Sequence, residues 1–294
     1  MNEYTITCGS TADLPYEFYK ENNIKYGCFH FELDGIDYID DLGKTMPYEK
    51  FYKKLDEGAI PSTSQLTQSD YINLWKPILK EGNNIIDIGL SSGITGGFNS
   101  ALLAKDELLK EFPDRKIAVI DSIGATAGYG MLVSYAADKK KEGMNFEQLV
   151  DYLEELKTHI HLWFYSTDLT GYLRGGRISK TSHIFGTMLK ICPVMNVNIE
   201  GKLIPRDKIR GKNKAKRLLF EKMVEHAQNG KNYDGKCFIS HSDCYDDALE
   251  LKELIENEFP KLKDKVFITM ISSVIGAHCH KGTVCLSFVG DKRD

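Results

Sequence analysis

A run of small and hydroxylated residues links two apolar stretches at positions 88–104, IGLSSGITGGFNSALLA. The apolar residues before Ser91 predict a strand, and apolar residues at helical spacing after Ser100 predict a helix. A glycine-rich turn between a strand and a helix leaves backbone N–H groups free to bind an anion, and Ser92 and Thr95 could add hydroxyl donors. An ordinary turn with a helix cap fits these residues equally well. The loop is neither a Walker nor a dinucleotide loop, because no GK[ST] follows and GITGG does not match GxGxxG.

Other hydroxyl groups stand at three further predicted strand ends or loops. Ser10 follows a β-favouring run, Ser122 follows a strand that ends in Asp121, and Thr63 lies in the loop PSTSQ. Turn chemistry alone can explain the last of these. Because the carboxyl ends of parallel strands meet at one sheet edge, where ligands bind, we expect these hydroxyls and Ser92 to face one rim.

Strands and helices alternate through both halves of the chain, which predicts an α/β fold. Repeated strand–turn–helix units in the first half indicate a mainly parallel, Rossmann-like sheet. The segment KYGCFHFELDGIDYID predicts a strand and a hairpin that turns at Asp34-Gly35. A predicted helix over 145–160 closes that half. A hairpin that turns at Glu200-Gly201 and several later strands indicate a mixed sheet, with KVFITMISSVIGAHC interpreted as a strand and a loop. We expect two α/β domains, residues 1–161 and 162–294.

Composition excludes several classes of protein. The 294 residues are 42% hydrophobic and 27% charged with a net charge of −4, which gives no basis for non-specific nucleic-acid binding. No stretch of about 18 apolar residues could form a membrane span, and the N-terminus MNEYTITCGS lacks the features of a signal peptide. Seven scattered cysteines fit unpaired thiols in a reducing compartment, so a cytoplasmic location is expected.

Seven short motifs occur in order across nearly the whole chain. They are STADLP (10–15), PSTSQ (61–65), SSGITGGFNSA (91–101), DS (121–122), LRGGRIS (173–179), GKLIP with a following RG (201–205, 210–211) and IGAH (275–278). Together they resemble the DegV family of bacterial fatty-acid-binding proteins. The resemblance implies two α/β domains that enclose a long-chain fatty acid in an apolar tunnel between them, with no other cofactor.

The resemblance also implies a carrier rather than an enzyme. A separate fatty acid kinase, whose catalytic subunit is dihydroxyacetone-kinase-like, would convert the bound acid to acyl-phosphate for phospholipid synthesis. At about 0.8 kcal/mol per buried CH₂, an acid in the C14–C18 range, such as palmitate, would gain roughly 10 kcal/mol before the costs of binding.

Site residues follow from the resemblance position by position. Thr63 and Thr95 would hold the fatty-acid carboxylate, and His278 would join that network. The supporting positions are Ser92, Gly96, Gly97, Ser64 and Ser122. Arg177 matches a surface loop that the family associates with the kinase. No metal is expected.

The chain departs from the family pattern at three places. Gly9-Ser10 replaces an Asp-Ser pair, Ser272-Ser273 replaces a glycine-rich approach, and Cys279-His280-Lys281-Gly282 replaces a G-P-G-like turn. Apolar residues of the second half could line the tunnel or simply belong to the core. These are Phe185, Met188, Leu189, Ile191 and Met270.

The residue types and motifs leave three other functions open. Ser92, Asp121 and His278 could form a hydrolase triad, although no GxSxG elbow is present. The Ser91–Gly97 loop could hold a phosphate ligand, although it lacks the Lys and carboxylate partners of Mg-nucleotide sites. Zinc could bind residues of suitable type near the C-terminus, although their spacing is not a standard one. These are Cys237, His241, Cys244, His278, Cys279, His280 and Cys285.

The basic run over 206–217 could be a surface that binds an anionic partner, or it could be the solvated face of a helix.

Overall fold

Three β-sheets and their covering helices make up the computed structural model, which describes residues 4–178 and 191–294. The strands of these residues are β1 (Tyr4–Gly9), β2 (Lys25–Gly27), β3 (His30–Leu33), β4 (Ile36–Ile39), β5 (Ser62–Ser64), β6 (Asn84–Gly89), β7 (Ile117–Asp121), β8 (Ile160–Tyr165), β9 (Ile191–Val197), β10 (Leu203–Arg210), β11 (Cys237–His241), β12 (Phe267–Met270) and β13 (Val284–Val289). The helices are α1 (Tyr16–Glu21), α2 (Tyr48–Asp56), α3 (Gln68–Lys80), α4 (Gly97–Glu111), α5 (Thr126–Lys141), α6 (Phe146–Leu156), α7 (Thr170–Arg174), α8 (Lys212–His226), α9 (Tyr245–Glu258) and α10 (Ser273–Cys279).

The first sheet is parallel throughout, in the order β2-β1-β6-β7. All six residues of β1 are buried, as in a strand covered on both faces. Helix α3 packs beside α4, and α5 packs beside α6. The predicted Rossmann-like sheet is therefore confirmed.

The second sheet is mixed, in the order β10-β9-β8-β13-β11-β12, with only β11 and β12 parallel. It includes the predicted hairpin, in which Gly201 occupies the turn with φ +72°. The helix predicted to run to Ile160 ends at Leu156 instead. Strand β8 of this sheet therefore begins at Ile160.

Helix α5 lies between the two sheets and contacts strands of both. Its residues from Thr126 to Ser134 are all buried, so it shows no polar face. Glycines allow the close approach: a Cβ on Gly130 would lie 2.2 Å from the Ala12 carbonyl oxygen, and one on Gly128 would lie 3.2 Å from Ser287 Oγ. The two halves of the chain thus share one helix as a common core.

A small third sheet, β4-β3-β5, was not expected. The predicted turn at Asp34-Gly35 is confirmed, with positive φ at both residues. The segment PSTSQ forms the edge strand β5 instead of a loop, and Thr63 pairs with Phe31 of β3. Similarly, the predicted loop after β12 is helix α10. Within the described ranges, no helix is long and apolar enough to span a bilayer.

A buried carboxyl lies inside the first sheet. Asp87 of β6 accepts a hydrogen bond from Thr7 Oγ1 (2.6 Å), and Trp75 Nε1 donates to the same hydroxyl (3.1 Å). Burial raises the pKa of Asp87 to about 7, and the Thr7 hydrogen bond only partly offsets this. The folded protein therefore holds this proton more tightly than the unfolded chain does.

The contribution of Asp87 to the free energy of unfolding should fall as pH rises from about 4 to 7, because this carboxyl must lose its proton inside the core over that window. Asp87→Asn keeps an acceptor for Thr7 and carries no charge, so its stability should fall less, by about 1 kcal/mol or more. Urea unfolding at several pH values measures this slope. The exposed control Asp114→Asn should retain the wild-type slope, and an unchanged slope in Asp87→Asn would contradict the assignment.

Candidate functional site

Thr63 and His278 meet although they lie far apart in the sequence. Thr63 Oγ1 and His278 Nε2 are hydrogen-bonded at 2.9 Å. Thr63 comes from the edge strand β5 of the small sheet, and His278 from the last turn of α10 in the second half. The structure thus brings together two of the three residues predicted to hold a carboxylate.

Helix α10 is held at its N-terminus by two buried aspartates of the first half. Ser272 N donates to Asp13 Oδ1 (3.1 Å) and Val274 N donates to Asp40 Oδ2 (3.2 Å). These carboxyls satisfy N–H groups that the first helical turn leaves unpaired. Burial raises the pKa of both, to about 6 for Asp40. Tyr52 adds a third contact by donating to the Ile271 carbonyl oxygen (2.9 Å).

An apolar cavity extends from this pair into the space between the two larger sheets. Its walls come from both halves of the chain: Ile94, Ala125, Leu162, Phe164, Tyr172, Leu203, Ile271 and Ile275. Thr63, Ser64, Thr95 and Arg177 lie at a smaller compartment next to it, which shares Ile94, Ile275, Arg177 and His278 with the main cavity. The arrangement is a polar end attached to an apolar interior.

Charge at the polar end is set by burial. Burial, with a smaller contribution from the neighbouring Arg177 and His280, lowers the pKa of His278 to about 4, so the imidazole is neutral at pH 7. Burial also lowers the pKa of Arg177. Arg177 Nη1 donates to the Gly175 carbonyl oxygen (2.5 Å), while its buried Nε has no partner among the described residues. The compartment therefore offers a guanidinium and a neutral imidazole to an incoming acid.

Thr95 is placed to donate into the same compartment. Its Oγ1 accepts a hydrogen bond from Gly97 N (3.2 Å), which leaves the hydroxyl proton for another acceptor. Ser64 also lies at this compartment, on the exposed side of β5. Thr63, Thr95, His278 and Ser64 thus line one compartment, and their role in holding a carboxylate stays a prediction.

Four of the predicted supporting residues line neither cavity: Ser92, Gly96, Gly97 and Ser122. Ser92 is exposed, and its N–H donates to Asp121 Oδ1 (3.2 Å). Ser122 is buried and hydrogen-bonds within its own turn, to Gly124. The loop turns so that Thr95, and not Ser92, faces the cavity.

The glycines of this loop permit close packing. A Cβ on Gly93 would lie 2.6 Å from the Gly201 carbonyl oxygen in the turn of the β9–β10 hairpin, and one on Gly96 would lie 2.7 Å from Gln65 Oε1. Ser91, which sequence analysis did not select, donates from Oγ to the same Gly201 oxygen (2.8 Å). The loop therefore joins the two halves of the chain, and protein atoms occupy the space that a phosphate would need at Gly93.

Arg177, predicted to contact a partner, lies in the cavity wall. The chain reaches this position through Gly175, where a Cβ would lie 2.3 Å from His278 Nδ1. The paired glycines before Arg177 were the available sequence signal for this close approach. Contact of Arg177 with a partner stays a prediction. The residue is half-buried, so part of its side chain is accessible.

The other candidate sites are not assembled. His278 pairs with Thr63, and Ser92 contacts Asp121 through its backbone N–H, so the hydrolase triad does not form. The seven C-terminal cysteine and histidine residues make no three-ligand cluster among the described residues. His241 instead accepts a hydrogen bond from Cys244 N (3.2 Å), as a structural histidine does.

The structure also places the basic run over 206–217 and two of the residues that could line the tunnel. In the basic run, Lys216 is buried and paired with Asp247 (2.9 Å), so the run is not simply a solvated face. Ile191 and Met270 do not line the cavity. Phe185, Met188 and Leu189 lie outside the described residues.

Replacing Arg177 by Gln should raise the pKa of His278 towards its ordinary value, because a nearby positive charge that opposes protonation is removed. An NMR titration of the imidazole signals measures the midpoint, expected at about 4 in the wild type. Arg174→Gln, an exposed arginine one turn earlier, serves as the control and should not move it. A wild-type midpoint at 6.5, or no change in Arg177→Gln, would show that the imidazole is not buried beside this guanidinium.

Comparisons with known proteins agree with the resemblance. The family described as "Uncharacterised protein, DegV family" matches residues 3–291. A DegV domain-containing protein of Clostridium perfringens is 35% identical over the full length of both chains. A fatty-acid-binding DegV family protein of Streptococcus agalactiae has a TM-score of 0.83 at 28% identity, covering 99% of this chain and 100% of the other. The Streptococcus pneumoniae fatty acid kinase B3 protein, solved with linoleic acid, has a TM-score of 0.83 at 21% identity and covers 98% and 99% of the two chains.

Proposed function

The chain belongs to the DegV family, and from that premise we propose that it carries a long-chain fatty acid with its carboxylate held at Thr63, Thr95 and His278. The single observation that carries the proposal is the joining of a polar compartment to an apolar cavity at one point, where His278 and Arg177 border both. A fatty acid has the same division into a polar end and an apolar chain.

Each group at the polar end has a defined part in the proposal. Thr95 donates its free hydroxyl proton to one carboxylate oxygen. Thr63 donates to the other while its oxygen stays near His278 Nε2. The half-buried Arg177 guanidinium supplies positive charge, which favours the ionised acid in a site that water reaches poorly.

The acyl chain would follow the apolar wall formed by Leu162 and Phe164 of β8 and by Ile271 and Ile275 beside α10. The main cavity measures about 50 Å³ in this structure. Ligand pockets are typically about 300–1,000 Å³, so binding requires the two halves or their side chains to move apart. Burial of the chain, at about 0.8 kcal/mol per CH₂, supplies the free energy for that opening.

The proposed role is that of a carrier, with chemistry on the bound carboxylate performed by a separate fatty acid kinase. The resemblance of the fold to the pneumococcal kinase B3 protein supports this role. The polar compartment also supports it: Ser64 is exposed there and Arg177 is accessible on one side, so a partner could approach the carboxylate end.

Thr63→Val should weaken fatty-acid binding by about 10- to 100-fold, because one hydrogen bond to a charged group is lost at nearly constant volume. Thr95→Val should have a similar effect, while Thr63→Ser and Thr95→Ser keep the hydroxyls and should bind nearly as well as the wild type. Displacement of a fluorescent fatty acid measures the affinities. Native mass spectrometry of the purified wild type should show one retained fatty acid, identified after extraction.

Two results would overturn parts of this proposal. Equal affinity of both valine variants would remove the hydroxyls from the carboxylate site. Failure of the folded wild type to retain or take up any fatty acid would reject the carrier function itself.

Arg177→Ala should reduce phosphorylation of the bound acid by a fatty acid kinase more than it reduces binding, since the guanidinium borders the accessible side of the carboxylate end. The assay measures acyl-phosphate formed from protein preloaded to equal occupancy, with ATP and the kinase subunit. Arg174→Ala is the matched control. Equal phosphorylation of both variants and the wild type would refute a role for Arg177 in presentation.

A further inference from the structure

Two histidines and an aspartate converge on the face of the second sheet that points away from the fatty-acid cavity. His161 of β8, His226 at the end of α8 and Asp291 after β13 offer ligand atoms that all lie within 4.8 Å of one another. Side chains alternate along a strand, so His161 faces the side opposite to Leu162, which lines the cavity. The cluster is therefore separate from the proposed carrier site.

The distances from the Asp291 carboxylate to the two histidines are close to those between neighbouring ligands of one small ion, and His161 Nε2 also lies 3.0 Å from the Asp291 backbone carbonyl oxygen. Asp291 Oδ1 lies 3.0 Å from His161 Nε2 and 3.1 Å from His226 Nδ1. Neighbouring ligands of a tetrahedral zinc ion, with bonds of about 2.0–2.1 Å, lie about 3.3 Å apart. Two imidazole nitrogens and one carboxylate are also a donor set that transition-metal dications prefer over Mg²⁺ or Ca²⁺.

The site has a rigid side and an adjustable side. The His161 ring is buried and stacked on Phe288, with centroids 5.2 Å apart and an interplanar angle of 4°. The His226 ring stacks on His161 at 4.9 Å, and its side chain is 23% exposed. Because lone pairs lie in the ring planes, His226 must rotate for both nitrogens to bind one ion. Its position at the helix end and its partial exposure allow that rotation.

Charged residues of both signs surround the cluster. Acidic Asp207, Glu225 and Asp294 border the same crevice, as do the cations Arg206, Lys222 and Lys292. Lys222 is paired with Glu225 (2.7 Å), and the buried Arg293 guanidinium donates to backbone carbonyls, Lys157 O among them (2.8 Å). Two carboxylates face the imidazoles: Asp291 contacts both histidines, and Glu225 Oε1 lies 3.7 Å from His226 Nε2.

We propose that His161, His226 and Asp291 form a binding site for a transition-metal dication of the zinc type. The ion ties the segment after β13 to the end of α8 and to β8, which lie 65 and 130 residues away in the sequence. A fourth position faces the crevice. This site differs from the C-terminal cysteine and histidine set, which the structure does not assemble.

Calorimetric titration of EDTA-treated, desalted full-length protein with zinc chloride, under a thiol-free reductant, tests the proposal. The wild type should bind a single zinc ion per chain, and the melting temperature should rise on zinc addition and not on magnesium addition. His226→Gln and Asp291→Asn should each weaken zinc binding by more than about tenfold and lose the thermal shift. His30→Gln, a histidine of the small sheet, is the matched control and should behave as the wild type.

Both test residues are partly exposed, so the metal-free variants should keep the wild-type circular dichroism and melting temperature. Zinc binding that is unchanged in both variants would place the ion at other residues and overturn the proposal. Absence of binding by the folded wild type in excess zinc would overturn it as well. Neither result depends on whether the protein carries a fatty acid.

Discussion

The arrangement of the candidate site depends on how the first half of the chain holds the start of helix α10. Asp13 and Asp40 accept hydrogen bonds from the backbone N–H groups of Ser272 and Val274, and Tyr52 donates to the Ile271 carbonyl. These groups are buried, so water does not compete for the bonds. Because α10 is only two turns long, fixing its first turn fixes His278 near its end. The Nε2 atom of this imidazole then lies 2.9 Å from Thr63 Oγ1.

The interface between the two halves determines which groups line the cavity. Helix α5 is buried between both large sheets, and the Ser91–Gly93 loop meets the hairpin turn at Gly201. These close contacts bring apolar residues of both halves to one space, while hydroxyls of β5 and of the loop before α4 border one end. Such a space has the polarity of a ligand with an apolar body and an anionic end, and its apolar part measures about 50 Å³ in this structure.

Motif order, turn chemistry and hydrophobic pattern were sufficient to predict much of this protein. Asp34-Gly35 and Glu200-Gly201 turn as predicted, because Asp34, Gly35 and Gly201 have positive φ, which aspartate and glycine tolerate. Thr63, Thr95 and His278, which the resemblance implies as carboxylate ligands, line one compartment. Predictions failed where neighbours in space decide the outcome. PSTSQ became a strand because β3 offered it a partner, and α10 formed where its N–H groups found buried carboxyls.

The sequence by itself determined the α/β class, the parallel and mixed sheets and the family, because these depend on local periodicity and on ordered motifs. Tertiary structure alone decided which hydroxyls face the cavity, since Ser92 and Thr95 are close in sequence but point to different surroundings. It also placed Arg177 beside His278 and gathered His161, His226 and Asp291. Residues so far apart in the chain form no sequence motif. Only the packing of strands and helices brings their side chains within reach of one another.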